Sequence, residues 1–278
     1  MATLTRRQML HAASLAGSAG LLNVSARAAA AVLDLPTVVL PIYAIRQDGD
    51  MLFYAHTGVR DGAASWDTQA LKIGNGWDFR QVFAGPGGAI YAIRQNGEML
   101  FYKHSGLYNT SDEWSMQAQR IGTGWDFRHV FAGEQGSIYA IRHNGEMLFY
   151  KHKGLPAEAT DWPIQGRVIG TGWDFRQVFA GDDGAIYAIR HNGEMLFYKH
   201  DGFLNGTASW KIQAQPIGTG WDFREVFSGP FGAVYAIRQD GDMLFYRHRG
   251  VTNGTADWPI QAKKIGNGWS FRQVFASR

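Results

Sequence analysis

Apolar residues along this chain fall in short runs and never at helical spacing. In "RQVFAGPGGAIYAIRQNGEMLFYKH", residues 80 to 104, β-branched and aromatic residues gather in runs separated by Gly, Pro and Asn. Runs of this length bounded by turn residues predict strands. Asn96-Gly97 stands between two of them, as do Asp48-Gly49, Asn144-Gly145, Asn192-Gly193 and Asp240-Gly241. Each is a hairpin signal, and a type I′ turn is the expected form because Asn or Asp with Gly tolerates positive φ at both central positions. Within one unit the pattern predicts strands near Phe79–Ala84, Ile90–Arg94, Met99–His104 and Gln117–Ile121, with a longer loop around "SGLYNTSDEW".

The whole pattern recurs. "IGTGWDFR" stands at 121–128, 169–176 and 217–224, "IGNGWDFR" at 73–80 and "IGNGWSFR" at 265–272, each 48 residues after the last. Aligned on "YAIR", the units begin at Ile42, Ile90, Ile138, Ile186 and Val234 without insertion or deletion. A period in this range signals a solenoid, a propeller or an array, and four short antiparallel strands per unit is the content of a propeller blade. The ends argue for a closed ring. "YAIR" at 43 is preceded by "LPTVVLP" where other units have "FRQVFAG", while an unpartnered "FRQVFA" stands at 271–276. The expected fold is therefore all-β, a five-bladed β-propeller of four-stranded antiparallel blades, its ring closed by the C-terminal strand completing the N-terminal blade. Such closure leaves no open end needing a polar cap.

Composition changes this picture at three points. The ten Trp fall two to a unit, which singles them out as candidates for either packing or binding. The net charge of +3 dissolves once residues 1–28, with Arg6, Arg7 and Arg27 and no acid, are set aside, leaving 24 basic against 24 acidic residues. A phosphate-tracking surface is thereby unsupported, and no nucleic-acid partner is expected. Cys is absent, which excludes disulfides, thiolate metal sites and a Cys nucleophile.

The first 28 residues read as an address. Arg6-Arg7, a diluted apolar stretch from Ala12 to Leu22 and a small-residue "ARA" ending at Ala28 resemble a bacterial twin-arginine export signal. The alternative is an amphipathic N-terminal helix of a cytosolic protein. No segment approaches the roughly 18 apolar residues of a membrane span. The expected organisation is an export signal over 1–28, a linker over 29–41 and the propeller over 42–278, with the protein periplasmic or extracellular.

The unit "GxGWxFxxVFAGxxGxIYAIRxxGxMLFYxHxG…W…IG" resembles the tachylectin-2 type β-propeller lectins over all of 42–278. That resemblance implies binding of N-acetylglucosamine or N-acetylgalactosamine on glycans, at one pocket per repeat near the blade edges. The matching positions are the loop Trp with the polar residue before it, and the "IGNGW" or "IGTGW" turn. In the first repeat these are Ser65 and Trp66 with Gly74, Asn75, Gly76 and Trp77. The second has Glu113 and Trp114 with Thr123, Gly124 and Trp125, and the third Asp161 and Trp162 with Thr171, Gly172 and Trp173. The fourth has Ser209 and Trp210 with Thr219, Gly220 and Trp221, and the fifth Asp257 and Trp258 with Asn267, Gly268 and Trp269. No cofactor or metal is implied, and a monomer is expected.

Chemistry independently favours such a pocket. A pyranose presents an apolar CH face and a rim of hydroxyls, so it suits an indole platform beside a few fixed donors and acceptors. Against this, the turn Trp at 77 and its equivalents, fixed between Gly and a strand start, suit packing between blades. Arg46, Arg94, Arg142, Arg190 and Arg238 are expected to bridge neighbouring blades by bidentate hydrogen bonds. His56, His104, His152, His200 and His248 lie on five different blades, so satisfied or solvated imidazoles are expected rather than a metal site. Asp78, Asp126, Asp174 and Asp222 suit a turn cap.

Glycoside hydrolysis needs two carboxylates in unequal environments, whereas Asp50, Glu98, Glu146, Glu194 and Asp242 recur in equivalent ones. The remaining readings are a multivalent lectin and a protein-interaction platform. Several weak equal sites suit a repetitive ligand such as a glycan, because binding at one site raises the effective concentration at the rest.

Overall fold

The computed structural model describes residues 38–153 and 160–278. The export signal and most of the linker read from the sequence lie outside the described residues. The first blade contains β1 (Leu40–Ile45), β2 (Met51–His56) and β3 (Trp66–Gly74). The second runs β4 (Gln81–Ala84), β5 (Ala89–Ile93), β6 (Met99–His104) and β7 (Trp114–Gly122). The third is β8 (His129–Ala132), β9 (Ser137–Ile141), β10 (Met147–Lys151) and β11 (Ile164–Gly170). The fourth is β12 (Gln177–Ala180), β13 (Ala185–Ile189), β14 (Met195–His200) and β15 (Trp210–Gly218). The fifth is β16 (Glu225–Ser228), β17 (Ala233–Ile237), β18 (Met243–Arg247) and β19 (Ile260–Gly266). The last strand, β20 (Gln273–Ala276), joins the first blade, whose order is β20-β1-β2-β3.

Ring closure is thus made by hydrogen-bonded pairing of the two ends, with Tyr43 opposite Phe275 and Ile42 opposite Ala276. The short first strands β4, β8, β12, β16 and β20 contact one another around the ring and line its axis. The second and third strands of each blade are covered on both faces by neighbouring blades. Every residue of "AIYAI" is therefore buried, a continuous apolar run rather than an alternating one. The fourth strands face outward, and their buried positions are few.

Two local features differ from expectation. The turns at Asn96-Gly97 and its equivalents are not type I′. Gly97 alone has positive φ there, its N–H donates to Arg94 O, and Asn96 Oδ1 accepts the Glu98 N–H. A three-residue loop ending in a left-handed Gly satisfies the same Asn-Gly signal, with the Asn side chain closing the turn. The fourth strand begins at the loop Trp itself in blades 1, 2 and 4, three residues earlier than expected. In blades 3 and 5 it begins at Ile164 and Ile260, because Pro163 and Pro259 have no N–H for the ladder.

Contacts between blades are made by residues other than those expected. Arg94, Arg142 and Arg190 pair with Glu98, Glu146 and Glu194 across their own hairpin turns, at 2.6–2.9 Å, and do not bridge blades. The bridging cation is the Arg of "FR". Arg80 donates to Asp126 Oδ1 at 2.7 Å and to Trp125 O, and Arg272 does the same to Asp78 and Trp77 O. Asp78, Asp126, Asp174 and Asp222 therefore receive a guanidinium from the preceding blade rather than serving as turn caps. Ser270 stands where the fifth Asp would be, and Arg224 there donates to Trp269 O.

His56, His104, His152, His200 and His248 are fully buried. Tyr43 donates its hydroxyl to His104 Nδ1 at 3.0 Å, and Tyr235 to His56 Nδ1 at 2.8 Å across the ring closure. In His56, His104, His200 and His248 the Nε2–H donates to a loop carbonyl, as His104 does to Ser111 O at 2.9 Å. Burial holds His104 below the ordinary imidazole range, opposed by that carbonyl. These are neutral structural imidazoles that tie each blade to the next. Among the described residues no group of three or more His, Asp or Glu is placed to hold a metal.

Candidate functional site

Neighbouring strands in a sheet rotate by about 20–25° each, so the fourth strand of a blade is turned by roughly 60–75° from the first. The fourth strands, last in each blade's order outward from the axis, lie at the circumference, and the start of one reaches the end of the one before. Trp114, first residue of β7, donates its indole N–H to Ile73 O near the end of β3 at 2.9 Å. Equivalent bonds run from Trp162 to Ile121, Trp210 to Ile169, Trp258 to Ile217 and Trp66 to Ile265, at 2.7–3.3 Å.

Each loop Trp therefore meets the turn Trp of the preceding unit, not of its own. The pairs are Trp114 with Trp77, Trp162 with Trp125, Trp210 with Trp173, Trp258 with Trp221 and Trp66 with Trp269, with ring centroids 5.2–5.6 Å apart. A repeat is the unit of sequence, but the junction between repeats is the unit of the site. The turn Trp side chains are 4–5% exposed. Their backbone N–H groups donate to the hairpin Gly of the same blade, as Trp125 N does to Gly97 O at 3.0 Å. A methyl group on Gly122 would stand 2.6 Å from Trp125 Nε1, so the first Gly of "IGTGW" is required by the indole folded over it. Gly124 is required by its φ of +75°, and faces open space.

The loop Trp is half-buried. A His covers part of it, with centroids 4.5–5.0 Å apart, and its N–H is held by the Ile carbonyl. What it offers a ligand is a carbon face.

Cavities open at these junctions. One of about 440 Å³ is lined by Ile121, Gly122, Thr123, Gly124, Trp125 and Phe127 from one unit with Tyr150, Trp162, Gln165 and Gly166 from the next. Another, of about 390 Å³, is lined by Ile217, Gly218, Thr219, Gly220, Trp221 and Phe223 with Tyr246, Trp258, Gln261 and Ala262. Both volumes suit a small ligand. The same aromatic arrangement gathers Asn75, Gly76 and Trp77 with Trp114, Thr171, Gly172 and Trp173 with Trp210, and Asn267, Gly268 and Trp269 with Trp66. Asp161 and Asp257 lie apart from the cavities, paired with Lys153 and Arg249 at 2.7 Å.

None of the side chains lining these two cavities is charged. Burial raises the Tyr150 and Tyr246 phenols above their ordinary range, against the pull of Arg142 and Arg238. Both hydroxyls therefore stay protonated at neutral pH, each a donor and an acceptor. The site is an aromatic trough with a few neutral hydrogen-bonding groups.

Sequence reasoning missed three contributors: the strand Tyr, the Phe after the turn, and the Gln at 165 and 261. The Gln carried a readable signal. Gln69, Gln117, Gln165, Gln213 and Gln261 recur in every unit, on an otherwise exposed fourth strand. After each Gln stands a residue with left-handed φ, Ala70, Ala118, Gly166, Ala214 or Ala262, and the strand pairing skips there. This β-bulge brings the Gln and its neighbour into the wall of the trough.

A family model described as Tachylectin matches residues 44–205 and 198–278. No curated protein sequence matches the chain. Among solved structures, one concerned with the de novo evolutionary emergence of a symmetrical protein shaped by folding constraints is similar at 23% identity, over 84% of this chain and 97% of that one, with a TM-score of 0.56. The SapL1 lectin, solved in complex with alpha methyl fucoside, is 14% identical over 86% of this chain and 85% of its own, with a TM-score of 0.44. Prp20p from Saccharomyces cerevisiae is 12% identical over 83% of this chain and 62% of its own, with a TM-score of 0.41. The first of these likenesses is one of fold.

Proposed function

Because this chain belongs to the Tachylectin family, we propose that it is a multivalent, non-enzymatic lectin whose junction cavities bind N-acetylated hexosamines, N-acetylglucosamine or N-acetylgalactosamine, on repetitive glycans. The observation that carries this reading is the uncharged aromatic trough built at the blade junctions. An indole face and a Tyr ring suit the CH face of a neutral pyranose, and Gln, Thr or Asn and the Tyr hydroxyl suit its polar rim. The absence of charge from the lining disfavours anionic sugars, whose carboxylate would be desolvated without a partner.

Hydrolysis has little support in the carboxylates. Glu98 and Glu146 are held below the usual carboxylate range by hydrogen bonds, from Asn96 and Arg94 and from Arg142 and Asn144, which unfits them as acids. Glu225 is pushed up to about 7 by burial, but it accepts the Val274 N–H and serves the contact between inner strands. A second reading, docking of a protein, is favoured by Val39, Tyr108 and Phe231, large apolar residues left 38–84% exposed.

A glycan array separates the two. The lectin reading expects retention on surfaces dense in N-acetylhexosamine, competed by the free sugar, and loss of retention when Trp66, Trp114, Trp162, Trp210 and Trp258 are changed together. Retention of the parent on no glycan at all would hand the case to protein docking. The proposal extends to location: the twin Arg of residues 6 and 7 directs export, and Arg6→Lys with Arg7→Lys is expected to leave the protein in the cytoplasm. Export unchanged in that variant would rule out the twin-arginine route.

A further inference from the structure

Two junction cavities carry the same residue type at nine of their ten lining positions. The tenth is Gly166 in one and Ala262 in the other. The glycine cavity is the larger, at about 440 against 390 Å³. A methyl group placed on Gly166 would stand 3.5 Å from the Tyr150 hydroxyl, at ordinary contact distance. Glycine at 166 therefore leaves open a space directly in front of that hydroxyl, where alanine would project a methyl group.

The backbone does not demand glycine there. Residue 166 has φ +60°, and alanine holds nearly the same conformation, at φ +49° to +53°, at the sister positions 70, 118, 214 and 262. Alanine at a left-handed position carries a strain of order 1 kcal/mol that glycine avoids, but four blades accommodate it. What sets the third unit apart is the wall of its cavity.

Resting on the sugar-binding reading above, we propose that Gly166 makes the cavity between the second and third blades a permissive site for N-acyl hexosamines with acyl chains longer than acetyl. The alanine-walled cavities hold the ligand to acetyl. The bulge supplies the reason. Gln165 and Tyr150 both line the cavity, and both side chains can hydrogen-bond an amide, one through its own amide and the other as donor or acceptor. An N-acyl group bonded there directs its alkyl end at residue 166. With glycine the extra methylenes enter the space that an alanine methyl would occupy against the Tyr150 ring and hydroxyl, and each adds about fourfold to affinity where it is buried. With alanine they meet a methyl group fixed on a β-strand, and overfilling of an apolar wall discriminates by about tenfold or more.

Calorimetric titration of the intact chain with N-acetylglucosamine or N-acetylgalactosamine, and then with the corresponding N-butanoyl sugar, tests this. The acetyl sugar is expected to fill several junction sites and the butanoyl sugar to bind tightly at one. Gly166→Ala should abolish the tight butanoyl site. Ala262→Gly should create a second butanoyl site. Each substitution installs a residue that sister units already hold at the same position, so both variants fold. Equal butanoyl stoichiometry in the parent and in Gly166→Ala would overturn the assignment while leaving the lectin reading intact. If neither kind of sugar bound, the lectin reading would fail and this assignment with it.

Discussion

At the scale of the residue, the two Trp of each unit do different work. Trp125 is buried among Phe127, Tyr150 and Trp162. Trp125→Ala leaves a cavity and is expected to cost ~3–5 kcal/mol, read as a fall in the urea midpoint. Trp114 is half-buried and donates to Ile73 O. Trp114→Ala is expected to cost only about 1–2 kcal/mol while removing one sugar site by calorimetry; equal destabilisation by the two changes would refute the division of roles. The imidazoles give a pH dependence with a definite sign. Burial lowers His56, His104, His200 and His248 below the ordinary value near 6.5. Below pH ~6.5 the unfolded chain then binds more protons than the folded one, so these groups stabilise the ring at higher pH and that stability is lost on acidification. Between pH 7.5 and 5.5 a loss of stability is expected in denaturant melts, and a flat profile would contradict neutral, buried imidazoles.

At the scale of the element, one position on the innermost strands sets how neighbouring blades meet. Gln81 donates to Val130 O at 2.6 Å, and His129 meets Phe175 O at 3.0 Å. Gln177 donates to Arg224 O at 3.1 Å, and Gln273 accepts the Val82 N–H at 2.8 Å. In β16 the same position is Glu225, at the junction that closes the ring, where Ser270 also removes the Asp partner of Arg224. An ionised carboxylate can accept the Val274 N–H but cannot donate to a facing carbonyl as Gln177 does. Its pKa is raised to about 7 by burial, so its contribution is full below the unfolded value near 4.5 and is lost as pH rises through 7. Glu225→Gln is therefore expected to raise stability at pH 8 by about 1–2 kcal/mol and to change little at pH 5. The variant should also lose stability more steeply on acidification, because the opposing carboxylate no longer offsets the imidazoles. A variant no more stable than the parent at pH 8 would count against the junction as described.

At the scale of the whole molecule, closure depends on eight residues at the C-terminal end. Deleting 271–278 removes β20, strips β1 of its pairing partner and takes away Arg272, which reaches Asp78 and Trp77 O on the way to the second blade. An apolar strand edge would be exposed, and exposed edges recruit other chains. The truncated chain is expected to aggregate or to melt lower by roughly 10 °C or more. A melting curve like the parent's would mean that the ring does not rely on that strand. The same closed geometry spaces the junction cavities around a circumference, so, on the proposed function, polyvalent ligands are expected to bind far more tightly than free sugar, by roughly 10²–10⁴ where the spacing permits.

The 48-residue period, the Asn-Gly hairpins and the displaced "FRQVFA" were enough by themselves to determine strand content, blade number and shared-blade closure. Each depends on local hydrogen bonding and on counting, which a linear string carries in full. The turn residues and Trp of the candidate site were legible for the same reason. Their grouping was not, because the partner of Trp114 is set by accumulated sheet twist, which carries β7 to the end of β3 rather than by distance along the chain. Tertiary packing likewise decided that Arg80 and not Arg94 bridges blades, since an i,i+4 carboxylate across a tight turn captures Arg94 first. It also decided that a bulge aims Gln165 and Gly166 into the trough, a feature of pairing between strands that neither strand's own sequence expresses.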